Sequence, residues 1–122
     1  VDVVVTRERG HNDVVAAWLP EGSSVSEVPL TDTHFLDNEE VLSALRASPN
    51  YGQYGTLVVT SARSALYVAL ARAALRPGGT VHTVGTATAQ ALENEDVEVD
   101  FVGTAGSLDL AKDIEEGPVL IL

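Results

Sequence analysis

The run Leu57-Val58-Val59-Thr60-Ser61-Ala62-Arg63-Ser64-Ala65, followed by Val81-His82-Thr83-Val84-Gly85-Thr86-Ala87-Thr88-Ala89-Gln90-Ala91-Leu92, decides how this chain is read. Each stretch opens on apolar, largely β-branched residues, the composition of a strand buried on both faces. Each then stops at small hydroxyl residues that open a helix. Repeated on neighbouring strands, that arrangement aims hydroxyls and free backbone N–H groups into one crevice, which is where open α/β sheets bind ligands, anions above all.

Outward from this pair the chain alternates strand and helix. Val1 to Thr6 is a predicted strand buried on both faces, and Asn12 is placed to cap a helix whose apolar positions Val14, Val15, Trp18 and Leu19 share a face before Pro20 and Gly22 end it. Ser24 to Leu30 alternates as a second strand. Asp37 or Asn38 is placed to cap a helix burying Val41, Leu42 and Leu45, and Pro49-Asn50-Tyr51-Gly52 breaks it. Thr56 to Thr60 is the third strand.

From about Ala62 to Leu75 the spacing of Leu66, Ala69, Leu70 and Ala73 predicts a helix stopping at Arg76-Pro77-Gly78-Gly79. A strand over Thr80 to Val84, a short helix over Thr88 to Asn94 and a strand over Val97 to Val102 follow. Ser107 is placed to cap a last helix through Ile114, closed by Gly117-Pro118. Regular alternation with short loops implies a parallel sheet with right-handed crossovers and helices on both faces. Five such units fit a flavodoxin-like sheet of order 2-1-3-4-5. Val119 to Leu122 is then a spare strand, similar in type to Val1–Val5.

Composition narrows the chemistry. The chain has 122 residues, the size of one ordinary domain, and 45% are apolar, enough for a core. Eighteen acidic against seven basic residues give a net charge of -11, which opposes contact with a phosphate backbone and makes nucleic acid an unsuitable partner. With no cysteine, disulfides, thiolate metal sites and thiol catalysis are out, which fits a reducing compartment. No stretch approaches the ~20 apolar residues that cross a bilayer, and no charged-then-apolar leader is present, so the expectation is a soluble cytoplasmic protein with no membrane partner. Val1 and Leu122 both fall inside apolar runs, as in a piece cut from a longer chain or engineered from one.

Several familiar chemistries fail on the residues. The loop after the first strand, Thr6-Arg7-Glu8-Arg9-Gly10, has two basic residues and one Gly, unlike a flavin phosphate loop. The third strand ends without the Asp that a Mg²⁺-dependent receiver needs. His11, His34 and His82 have no partner at metal-ligand spacing and read as surface or loop histidines, so no metal is expected. Asp37 to Glu40 and Glu93 to Asp96 read as solvated helix ends, and Trp18 and Phe101 as core. Tyr51 and Tyr54 are placed to rim a cleft or, the favoured reading, to pack a loop. Ser61 lacks a Gly-x-Ser-x-Gly elbow and a histidine to activate it. Thr60, Ser61, Thr86 and Thr88 therefore serve either as N-caps or as ligand-binding groups.

The order of these segments resembles the uroporphyrinogen-III synthase family, whose members close linear hydroxymethylbilane into uroporphyrinogen III. The resemblance runs through Val3-Val4-Val5-Thr6-Arg7, Val28-Pro29-Leu30, the Leu57–Ala65 and Val84–Leu92 stretches, Val99-Asp100-Phe101-Val102-Gly103, the helix holding Leu108, Leu110 and Ile114, and Pro118–Leu122. It implies an N-terminal half of a two-domain fold, with residues 1–30 belonging to a partner domain and residues 119–122 standing as a central strand. It also implies no cofactor, and substrate binding through Thr60, Ser61, Ala62, Gly85, Thr86, Ala87 and Thr88. The partner would be a linear tetrapyrrole substrate or its product in a completed cleft. No catalytic residue is assigned, and activity is not expected of this half alone. If Val1 to Thr6 folds back into its own sheet the chain is a monomer, the favoured form; exchange of that segment gives a homodimer. The alternative from another class is a flavodoxin-like structural or interaction domain with no catalytic role.

Overall fold

A computed structural model describes residues 1–10, 12–114 and 117–122, so His11 lies outside the described residues. The chain divides into two compact units, Val1–Phe35 and Leu36–Leu122.

In the first unit β1 (Asp2–Val5) and β2 (Ser24–Glu27) flank the six-residue helix α1 (Asp13–Trp18). The strands pair in parallel from Asp2↔Ser24 to Val5↔Glu27. Backbone bonds from Val28 N to Val5 O (2.9 Å) and Leu30 N to Thr6 O (3.0 Å) carry the pairing past their ends. Two strands bury little, and this corrects the sequence reading. Only Val5 of β1 is buried, Val4 is 64% exposed, and Trp18, expected in the core, is 80% exposed on a helix with no buried residue.

The second unit carries the core. Its elements are α2 (Asn38–Ala47), β3 (Tyr54–Val59), a 3-10 helix (Ala62–Tyr67) continuing into α3 (Val68–Arg72), β4 (Leu75–Val84), α4 (Thr86–Asn94), β5 (Phe101–Gly103), α5 (Ser107–Ala111) and β6 (Val119–Ile121). Four strands pair in parallel in the order β5-β4-β3-β6. The α/β flavodoxin-like class stands. Its strands, however, are divided two and four rather than gathered in one sheet of five, and the neighbour of β3 is the spare strand β6, in register Thr56↔Val119 to Val58↔Ile121.

Alternation along β3 and β4 separates two faces. Leu57, Val59 and Val81 join Leu45, Val68 and Leu92 in the main cluster. Val58 and His82 point to the other face. His82 is not a surface histidine: it is 4% exposed, paired across the sheet with Phe101 at 5.7 Å between ring centroids.

The segment after β3 buries Ala65, Val68, Ala71 and Ala74, a spacing of three. That spacing suits the 3-10 turn, whose residues i and i+3 eclipse. Of the stripe read from the sequence only Leu70 packs against the core, since Leu66 is 43% exposed and Ala69 and Ala73 lie outside it. The helix ends at Arg72, and Arg76–Gly79 instead form an irregularity inside β4, where pairing jumps from Tyr54↔Leu75 to Thr56↔Thr80. Pro77 has no N–H to give a ladder, and Gly78 sits at φ +77°, so the extra residues bulge out.

Smaller shifts have equally local causes. Asp37 closes a capping box with Glu40 and starts α2 at Asn38. Thr86 rather than Thr88 begins α4. Asp100 takes the Val81 N–H on its carboxylate at 2.7 Å and gives its own N–H to the Val81 carbonyl at 2.8 Å, so β5 starts only at Phe101. Gly106, at φ +91°, is the N-cap of α5, and Ser107 is its first residue.

Candidate ligand site at the strand ends

Because β3, β4 and β5 run parallel, their carboxyl ends open on the same side of the sheet. Thr60 follows β3, Gly85 follows β4, and Gly103 closes β5. The Gly85 N–H donates to the Gly103 carbonyl at 2.9 Å, tying the last two ends together. Gly85 is the N-cap of α4 at φ +81°, a backbone conformation costly for any residue with a side chain, although open space surrounds the place a Cβ would take. Glycine is needed here for conformation and not for room.

The structure sorts the sequence candidates by what already occupies them. The Thr60 hydroxyl donates to the Leu122 carbonyl at 2.9 Å, and the Thr60 N–H goes to the same oxygen at 2.9 Å. Ser61 is the N-cap of the 3-10 helix, its hydroxyl accepting from Arg63 N at 3.3 Å. Ala62 is exposed beside it. Thr60 and Ser61 are thus engaged in holding β6 and starting the next helix. On the next strand, Gly85, Thr86 and Ala87 remain accessible and Thr88 is buried. The first bond inside α4 runs from Ala89 N to Gly85 O at 3.3 Å. The amides of Thr86, Ala87 and Thr88 precede it, as the opening donors of any helix do, and the helix dipole adds partial positive charge there. Nothing acidic stands in that first turn. The arrangement can receive a carboxylate.

The Gly103-Thr104-Ala105-Gly106 turn beyond β5 was missed by sequence reasoning, although its two glycines were the available signal. A Cβ on Gly103 would lie 2.9 Å from Leu110 Cγ and 3.2 Å from the Gly106 carbonyl oxygen, so only glycine lets α5 approach the end of β5. Tyr54 is a strand residue, its hydroxyl 2.6 Å from that of Ser48. With Leu36, Val41, Leu45 and Leu120 it lines an apolar groove of about 430 Å³ between α2 and β6. Among the described residues no group of three or more His, Asp or Glu side chains is gathered as metal ligands, and no helix is long and apolar enough to cross a membrane.

A parallel α/β sheet whose strand ends present a glycine-capped helix and small hydroxyl residues defines a flavodoxin-like domain. Within that class the chain belongs to the uroporphyrinogen-III synthase family, the family model for uroporphyrinogen-III synthase HemD matching residues 13–122. No curated protein matches the chain.

Proposed function

We propose that the strand-end edge of Leu36–Leu122 binds carboxylate side chains of the tetrapyrrole handled by this family, in the service of porphyrin biosynthesis. The observation that carries the reading is the accessible N-terminus of α4 at Gly85-Thr86-Ala87, on the ligand side of a parallel sheet. Gly85, Thr86, Ala87 and Thr88 are the groups assigned to the ligand, with Thr60, Ser61 and Ala62 bordering them. The family's reaction loses a hydroxyl and inverts one pyrrole. Such chemistry draws on positioning and on stabilising developing charge more than on a strong base. This chain supplies one wall for it and is not expected to turn over substrate unaided; the working protein is soluble, cytoplasmic and free of a resident cofactor.

A second reading, a domain with no catalytic role, is favoured by Thr60 and Ser61, whose hydroxyls already serve the fold. One titration separates the two. The unmodified chain should bind uroporphyrin, a stable octacarboxylate analogue, saturably, with quenching of porphyrin fluorescence. Thr86→Glu puts a carboxylate at the exposed start of α4, which complements the dipole and leaves the helix intact while repelling the ligand. Binding should fall at least tenfold with no loss of thermal stability. Absence of saturable binding by the unmodified chain, or equal binding by the variant, refutes the proposal.

A further inference from the structure

We propose that Glu27 is a positioning residue, its carboxylate fixing the loop between β1 and α1 against the end of β2. Glu27 closes β2 opposite Val5. One of its oxygens, Oε1, accepts from Asn12 Nδ2 at 2.6 Å and from the Gly10 N–H at 3.4 Å, while Oε2 lies 3.6 Å from Arg9 Nη1. Three donors from one loop converge on a single side chain.

The local backbone does little to fix the described residues of this loop. Gly10 sits at φ +85°, and α1 is too short to impose a geometry on what precedes it. Asn12 occupies the N-cap position but makes no side-chain cap bond. Its amide turns instead to Glu27 and to the Glu8 carbonyl, the latter at 3.2 Å, and the residue is 4% exposed. Glu8 extends the connection, receiving the Thr33 N–H (3.2 Å) and hydroxyl (3.0 Å) on its two carboxylate oxygens. The network runs without a break from Glu27 through Asn12 and Glu8 to Thr33. It borders a cavity of about 410 Å³ lined by Glu8, Arg9 and Pro29–Asp32, at the carboxyl ends of two parallel strands. Glu27 thereby shapes the rim of that cavity without lining it.

Charge is what distinguishes Glu27 from a neutral acceptor, since bonds to a carboxylate are about twice as strong as neutral ones. The Asn12 bond is the main cause holding its pKa below the ordinary glutamate range; partial burial opposes this, and Gly10 N–H and Arg9 assist. A folded-state pKa that is depressed means ordering present above the ordinary glutamate range and lost as pH falls through the lowered value. Arg9 is the charged side chain that the described part of this loop brings to Glu27, while Glu8 meets Asn12 through its backbone carbonyl and Thr33 through its carboxylate.

The inference stands apart from any ligand and is tested on the whole chain by NMR and amide exchange. In Glu27→Ala the protection of the Gly10 amide should drop about threefold, the scale of one long, exposed hydrogen bond, and the Asn12 side-chain amide signals should move to solvent-exposed positions. Glu27→Gln keeps an acceptor and should recover part of that protection. The unmodified chain should lose Gly10 protection in acid, whereas Glu27→Gln shows no such acid limb. Unchanged Gly10 protection in Glu27→Ala, or an acid limb that persists in Glu27→Gln, overturns the assignment. Protection of the Leu57 and Val59 amides reports whether each variant has folded; if Glu27→Ala has not, the acid limb of the unmodified chain decides, and its absence counts against Glu27.

Discussion

Substituting Gly103 by alanine should destabilise the Leu36–Leu122 unit through one contact. Its φ lies outside the left-handed region, so an alanine there carries no backbone strain, and stiffening the unfolded chain would alone favour it by about 0.4–1 kcal/mol. The added Cβ, however, falls 2.9 Å from Leu110 Cγ and 3.4 Å from its Cδ2, inside the distance real carbon atoms tolerate. Leu110 is fully buried and cannot swing into solvent. Overpacking of this kind costs about 1–3 kcal/mol, leaving a net loss of up to about 2.6 kcal/mol after the chain term. Leu110→Ala alone opens a cavity costing about 2–5 kcal/mol. In the double variant the new methyl enters the space the leucine vacated, so the two losses should fall short of additivity by about 1–2 kcal/mol. Urea unfolding followed by circular dichroism reads all four proteins. Additivity to within about 0.5 kcal/mol would show that the approach of α5 to β5 is loose, and the steric account of Gly103 would fail. Because the Gly103 carbonyl also holds the Gly85 N–H, the single variant should weaken uroporphyrin binding as well, and the double variant should restore part of it.

Two further outcomes follow from burial and charge. Val68→Ala should cost about 2 kcal/mol or more because Val68 is fully buried, whereas Leu66→Ala, a larger truncation at a 43% exposed position, should cost less than about 1 kcal/mol; melting temperatures in the reverse order would restore the helical stripe read from the sequence. With a net charge of -11, raising salt from 0.01 to 1 M shortens the screening length from about 30 to about 3 Å and should raise the melting temperature; a fall, in sodium chloride, would mean that local ion pairs outweigh the general repulsion.

What the sequence makes legible is the part of the fold where composition and position agree. Leu57-Val58-Val59, apolar throughout and β-branched but for one leucine, reads as a strand buried on both faces, and all three residues are in fact buried. Asp37 with Glu40 announces a helix start because two reciprocal bonds need those residue types at that spacing. Ambiguity enters where one composition serves two geometries. The segment 62–75 has small apolar residues at almost every position, so spacings of three and of three-to-four are both filled, and packing chooses between them. Trp18 shows the converse. Its type says core, but α1 with two short strands offers too little surface to bury an indole.

The strand ends show why spacing alone does not settle which hydroxyls bind. Thr60 and Ser61 stand where a ligand-binding pair would, and the same position suits a cap and a strand clasp. What decides between these uses is Leu122, just past β6 and some sixty residues away, whose carbonyl takes both the N–H and the hydroxyl of Thr60. That demand is invisible in the local sequence. The turn after β4 carries no such claim: Gly85 spends its N–H on Gly103, and the next three amides open a helix with nothing acidic before them. The proposed anion binding at this edge therefore rests on backbone donors set by one glycine at φ +81° rather than on the hydroxyls that first draw the eye. On that account Thr86→Val should leave uroporphyrin affinity within about threefold, because it removes a hydroxyl and keeps the amide, while Thr86→Glu removes the binding; a loss on Thr86→Val equal to that on Thr86→Glu would return the role to the side chain.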